Sequence, residues 1–160
     1  RKTGLKRGAI FHFGTGGHHL VGIENSAPDL DNAVYGITAS PKEYEEYVNL
    51  VVGKPEFGRS YKAFFGDIYQ IDRRMLPAFD AVTLFHLCEF RSEQNEAYGA
   101  LTDLAVAQML TDCLKPGGHL LFYTGSQAFE PSLPIIDALV ASRPLARVDD
   151  HETLRIYRKG

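Results

Sequence analysis

At 160 residues, the chain is long enough for one domain with a substantial core, because a chain of this size buries roughly two-thirds of its unfolded surface. It is 44% hydrophobic and 23% charged with a formal net charge of −3, and no basic run exceeds Arg73-Arg74, which argues against nucleic acid as a partner because phosphate binding needs a concentrated positive face. Cys88 and Cys113 form neither a disulfide scaffold nor a CxxC pair, no apolar run reaches bilayer length, and nothing reads as a signal peptide, so the expected setting is the reducing cytoplasm, away from membranes.

The chain begins at Arg1 rather than Met, as a piece trimmed from a longer protein would, and residues 1–8 are a polar, basic lead-in. Ala9–Phe13 is an apolar strand that runs into Gly14-Thr15-Gly16-Gly17. A short helix is expected over His18–Glu24, interrupted by Gly22 and closed by Pro28. Ala33–Thr38 is a second strand. Ser40-Pro41-Lys42-Glu43 then announces a helix: Ser40 caps it, Pro41 takes the first helical position and Glu43 completes a capping box. Tyr44, Tyr47, Val48 and Val51 give that helix an apolar face for core packing, and Gly53 and Pro55 end it.

Tyr61–Phe65 reads as a third strand stopped by Gly66-Asp67, and a segment from Ile71 to Leu76 leads to a fourth over Asp80–Phe85. The longest helix is expected between Glu93 and Leu114. Lys115-Pro116-Gly117-Gly118 makes a sharp turn into a fifth strand, His119–Thr124. A last helix, Leu133–Ser142, precedes a hairpin of Leu145–Val148 and Thr153–Tyr157 around the acidic turn Asp149-Asp150-His151-Glu152. Strands and helices alternate until that ending, without repeat or linker. The pattern predicts a single doubly wound α/β domain over residues 1–160 (core about 8–160), with a mostly parallel sheet and an antiparallel edge pair.

The glycine loop lets a ligand approach backbone closely at the carboxyl end of a strand, where open α/β sheets bind ligands. His18 and His19 follow that loop, and His86, Cys88 and Glu89 follow the fourth strand. Were the first and fourth strands neighbours, both groups would meet above one crevice, but no pair has the spacing of a metal motif, so no metal site is assigned. His86 is a candidate general base because an imidazole titrates near neutrality; the alternative is a residue capping the strand end. Glu89 is the second catalytic candidate, with a solvated or helix-capping carboxylate as its alternative. Asp67 is either a ligand-binding acid or a turn residue after Gly66. His119 and His151 read as surface or turn residues.

Together these stretches resemble the class I S-adenosylmethionine-dependent methyltransferases. Phe11-His12-Phe13-Gly14-Thr15-Gly16-Gly17 is similar to the family's glycine motif and Tyr35-Gly36-Ile37-Thr38-Ala39-Ser40-Pro41 to its second motif. Phe65-Gly66-Asp67-Ile68 resembles the third, Phe79–His86 the fourth, and Leu114–Phe122 the turn into the fifth strand. The resemblance implies a seven-stranded sheet of order 3-2-1-4-5-7-6 with strand 7 antiparallel. It also implies S-adenosylmethionine as cofactor, with Gly14, Thr15 and Gly16 against its methionine end and ribose. Thr38 would stand at the ribose hydroxyls, Ala39 and Ile68 would flank the adenine, and Asp67 would accept from its amino group. Phe85 and His86 would lie near the sulfonium. Two positions depart from the pattern: His12 and Thr38 stand where the family keeps acids. On this reading Thr38→Asp adds a charge-assisted bond to the ribose and tightens binding.

The leading function is methyl transfer from S-adenosylmethionine to a small-molecule acceptor, in which the protein mainly supplies position. The alternative is a non-catalytic, methyltransferase-like binding or regulatory domain, which the two missing acids favour; an oligomer or a partner subunit is compatible with either. A nicotinamide-dependent Rossmann enzyme ranks third, because its last fingerprint glycine would fall at His19 and no acid ends the second strand.

Overall fold

Period-2 alternation in the apolar runs sends one set of side chains to each face of a sheet that is covered on both sides. The strands are β1 (Ala9–Phe13), β2 (Ala33–Thr38), β3 (Tyr61–Phe65), β4 (Phe79–Thr83), β5 (Leu114–Tyr123), β6 (Leu145–His151) and β7 (Leu154–Lys159). The computed structural model describes residues 3–160, so the first two residues of the basic lead-in lie outside the described residues. All seven strands join one sheet in the order β3-β2-β1-β4-β5-β7-β6. β1 to β5 are parallel, and β7 is antiparallel to both β5 and β6. This is the expected order, with β1 between β2 and β4.

Among the described residues, six α-helices accompany the sheet: α1 (Leu20–Asn25), α2 (Pro41–Gly53), α3 (Phe57–Ser60), α4 (Glu93–Ala97), α5 (Asp103–Asp112) and α6 (Phe129–Ser142). Phe11, Phe79, Val82, Leu120 and Phe122 pack with Leu110 of α5 and Ile136 and Leu139 of α6. Ile10, Val34, Tyr61, Ala81 and Leu121 pack on the opposite face with Tyr47 of α2, beside Tyr44. Tyr47 is thus a core residue, as expected, and Tyr44 is half-buried against that core. No helix among the described residues is long and apolar enough to cross a membrane.

Several boundaries differ from the sequence reading for local reasons. The long helix expected over Glu93–Leu114 is two helices. Gly99 takes φ +70°, which ends α4, and Thr102 caps α5 by accepting from the Ala105 N–H at 3.1 Å. β5 starts at Leu114, five positions before His119, because the Lys115–Gly118 turn is absorbed as a register shift against β4. β4 stops at Thr83, which leaves Phe85 and His86 beyond the sheet, while the Leu84 N–H still donates to the Leu121 carbonyl of β5 at 2.8 Å. α6 begins at Phe129, and β6 runs through His151, so the acidic turn moves to Glu152 (φ +52°). Gly22 does not break α1; a Cβ there would lie 2.4 Å from Tyr61 Cδ1, so the glycine lets the helix sit against the sheet.

Candidate functional site

The carboxyl ends of β1 to β4 open on a cleft of about 360 Å³. Gly14, Gly16, Thr38, Ala39, Asp67, Ile68 and His86 line it, together with Phe13, Ile37, Ser40, Glu43, Gly66, Tyr69, Phe90 and Asn95. Gly14 and Gly16 have φ +80° and +58°, a region L side chains avoid. A Cβ at Gly14 would also come within 2.4 Å of His86 Cδ2. The absence of a side chain at Gly14 therefore brings the imidazole directly onto the loop.

The feature the sequence reading missed is Glu43. Its Oε2 accepts from the Thr38 hydroxyl at 2.7 Å and from the Thr15 hydroxyl at 3.0 Å. Only half of the expected capping box forms. Ser40 Oγ accepts from the Glu43 N–H at 3.3 Å, but the Ser40 N–H donates to Thr38 Oγ1 at 3.1 Å. The carboxylate, freed from its capping role, turns to two hydroxyl donors, and hydrogen bonds to an ionised group are the stronger kind. Thr38, the departure read as a missing acid, thus presents an acid from the first turn of the next helix. The available signal was the spacing: a hydroxyl at the strand end, followed by a carboxylate in the first turn of α2.

Asp67 also faces the cleft, and its carboxylate is already engaged. Oδ1 accepts from the Tyr69 N–H at 2.8 Å and caps the turn Ile68–Gln70. Oδ2 accepts from Asn95 Nδ2 at 3.3 Å and from the Tyr98 hydroxyl. On the β4 side, His86 Nδ1 lies 2.8 Å from Glu89 Oε2, and Glu89 Oε1 accepts from the Ser126 hydroxyl. The Glu89 side chain is only 11% exposed against 32% for His86, so the carboxylate stands behind the imidazole and the imidazole meets the cleft.

No protein-family model matches the sequence, and comparison with curated proteins finds no match. Solved structures do match. Magnesium protoporphyrin IX methyltransferase (ChlM) from Synechocystis PCC 6803, solved with bound SAM, superposes with a TM-score of 0.68 over 99% of this chain and 73% of its own, at 14% identity. The aminoglycoside resistance methyltransferase NpmB1 gives 0.66 over 98% and 89%, at 17% identity. The cyclase SpnF gives 0.66 over 94% and 55%, at 16% identity. This is the class I methyltransferase fold. The chain spans about half the length of some of these structures, 55% of SpnF and 48% of the StiE O-methyltransferase domain. That SpnF is described as a cyclase means the fold sets the scaffold and leaves the reaction to the site.

Within this methyltransferase fold, three of the expected site residues do not line the cleft. Thr15 is buried beneath the loop, where it holds Glu43. Glu89 acts on His86 from behind. Phe85, expected near the sulfonium, packs instead on His12 and Tyr123, with ring centroids 5.6 and 5.9 Å apart, on the same face of the sheet as Ala81. His12, the other departure, is buried with Nδ1 2.6 Å from Thr83 Oγ1, a link between β1 and β4. Burial first, then the charges of His86 and His19, lowers its imidazole to about 3, so it is neutral and takes no ligand's charge.

The expected convergence of His18, His19, His86, Cys88 and Glu89 does not form. His19 adopts φ +48° and turns inward, Nδ1 2.8 Å from the Tyr61 hydroxyl, while His18 is exposed. Cys88 packs against the core, and burial pushes its thiol up to about 11. Among the described residues, no three His, Cys, Asp or Glu side chains are grouped to hold a metal.

Proposed function

We propose that this chain binds S-adenosylmethionine in the cleft and transfers its methyl group to a small-molecule acceptor. The observation that carries the reading is Glu43: an ionisable carboxylate, pre-oriented by the Thr15 and Thr38 hydroxyls, at the end of β2 between the glycine loop and Asp67. Glu43 Oε2 is taken by the two threonines, which leaves Oε1 for a ligand diol. Gly14 and Gly16 would pass against the methionine end, Ala39 and Ile68 would flank the adenine, and Asp67 would receive its amino group.

The bound cofactor supplies a methyl on a sulfonium as the reactive bond. The chain's own residues supply position and proton handling. His86 has Nδ1 committed to Glu89, so Nε2 is the atom left to accept a proton from an acceptor held beside Gly14. Glu89 orients the ring and offsets the charge it acquires. The non-catalytic reading drew its support from two missing acids, and Glu43 removes one of those grounds.

Thermal melting with millimolar S-adenosylmethionine, S-adenosylhomocysteine and, separately, NADH tests the assignment. A ligand specific to the folded state adds about 2.7 kcal/mol at a hundredfold excess over its dissociation constant. The expected result is a rise in Tm with the first two and none with NADH. Unchanged melting with both adenosyl compounds would overturn the proposal.

A further inference from the structure

The base has a second supporting residue, outside the sequence-predicted set. Ser126 lies between β5 and α6, separated from Glu89 by 37 positions. Its hydroxyl donates to Glu89 Oε1 while its oxygen accepts from the Ala128 N–H at 3.1 Å. A hydroxyl has one proton, and with the backbone N–H directed at the oxygen that proton is left for Glu89. The Ser126 backbone is held as well: its N–H donates to the Tyr123 carbonyl at 3.3 Å, and its carbonyl accepts from the Phe129 N–H at 3.1 Å. Ser126 is therefore tied to the end of β5 and to the start of α6.

We propose that Ser126 is the positioning residue for the general base: by fixing Glu89, it holds His86 in the Nδ1–H tautomer with the Nε2 lone pair left to the cleft. This rests on the methyl-transfer reading of the site. Glu89 is nearly buried, and a buried carboxylate oxygen without a donor is costly, so removal of the Ser126 hydroxyl drives Glu89 to seek another partner and releases the imidazole. The arrangement is not a nucleophilic serine triad. There the hydroxyl bonds the imidazole; here it bonds the carboxylate on the far side, with its proton directed away from His86.

The test is the tautomer itself, read from long-range imidazole ¹H–¹⁵N correlations in the full chain labelled at histidine nitrogen, with His86 assigned by a His86→Gln variant. Wild type should show the Nδ1–H form. In Ser126→Ala the ratio of Nδ1–H to Nε2–H should fall by roughly tenfold, as loss of one hydrogen bond to a charged group implies. Ser126→Thr, which keeps the hydroxyl, should restore it. All three should still bind S-adenosylhomocysteine, since Ser126 does not line the cleft. A wild-type Nε2–H tautomer, or an unchanged ratio in Ser126→Ala, overturns the proposal, and the wild-type measurement decides even if a variant fails to fold. Because the tautomer is read without cofactor, failure here is distinguishable from failure of the cofactor assignment, which the melts report.

Discussion

Glu43 and Asp67 both stand at the mouth of the cleft, beyond the ends of adjacent strands β2 and β3, and both carboxylates are bound by donors from the chain, yet they are left in different states. Glu43 receives both of its hydroxyl donors on Oε2, and Oε1 has no hydrogen-bond partner among the described residues. Asp67 uses both oxygens, and its Oδ2 takes two donors, Asn95 and Tyr98, the capacity of one carboxylate oxygen. One acid is poised, and the other is clasped. Counting donors against lone pairs leaves Oε1 of Glu43 and one position on Oδ1 of Asp67 for a ligand, and the same count on the β4 side leaves Nε2 of His86.

A large effect on both binding and stability is expected from Thr38→Asp. With Thr38 regarded as a vacancy, the substitution supplies a missing acid. With Glu43 in contact, it removes a donor and sets two carboxylates within hydrogen-bond reach, where like charges resist joint ionisation. S-adenosylhomocysteine binding should weaken about tenfold and folding stability should fall by roughly 1–3 kcal/mol, the penalty for an unsatisfied partly buried acceptor. Tighter binding in calorimetry would show that Glu43 is not the ribose acid.

A smaller effect of opposite sign is expected at the adenine end. Tyr98 is about half exposed (48%), and its phenol is pushed up by donating to Asp67. Tyr98→Phe frees one acceptor position on Oδ2 for an adenine amino group, so the dissociation constant for S-adenosylhomocysteine should fall about threefold to fivefold, the worth of roughly one net hydrogen bond. Weaker binding in the same titration would mean that Tyr98 contributes to the ligand site and does not compete for it.

The strands, the glycine loop and the crevice were legible in the sequence because buried parallel strands are continuous apolar runs and glycines and prolines punctuate them, whereas the strand order came from the resemblance that the motifs carry. What escaped depends on partners far along the chain. Glu43 reads as a capping residue until the fold brings Thr15, 28 positions earlier, to its other side. Ser126 carries no local signal, because its partner Glu89 arrives only when β4 and β5 pair. Phe85 was misplaced because it keeps to the Ala81 face of the sheet, where His12 and Tyr123 cover its ring. Helix breaks at Gly99 and Thr102 were ordinary turn chemistry concealed inside a helical periodicity.

The most direct measurement is calorimetric titration of S-adenosylhomocysteine into wild type and Glu43→Gln under one set of conditions. Glutamine keeps the shape and the acceptor oxygen and removes the charge. The account predicts saturable one-to-one binding to wild type, weakened about fivefold to thirtyfold in the variant, the difference between a charged and a neutral acceptor. Equal affinity in the two proteins, or no heat of binding to wild type at millimolar ligand, would contradict it.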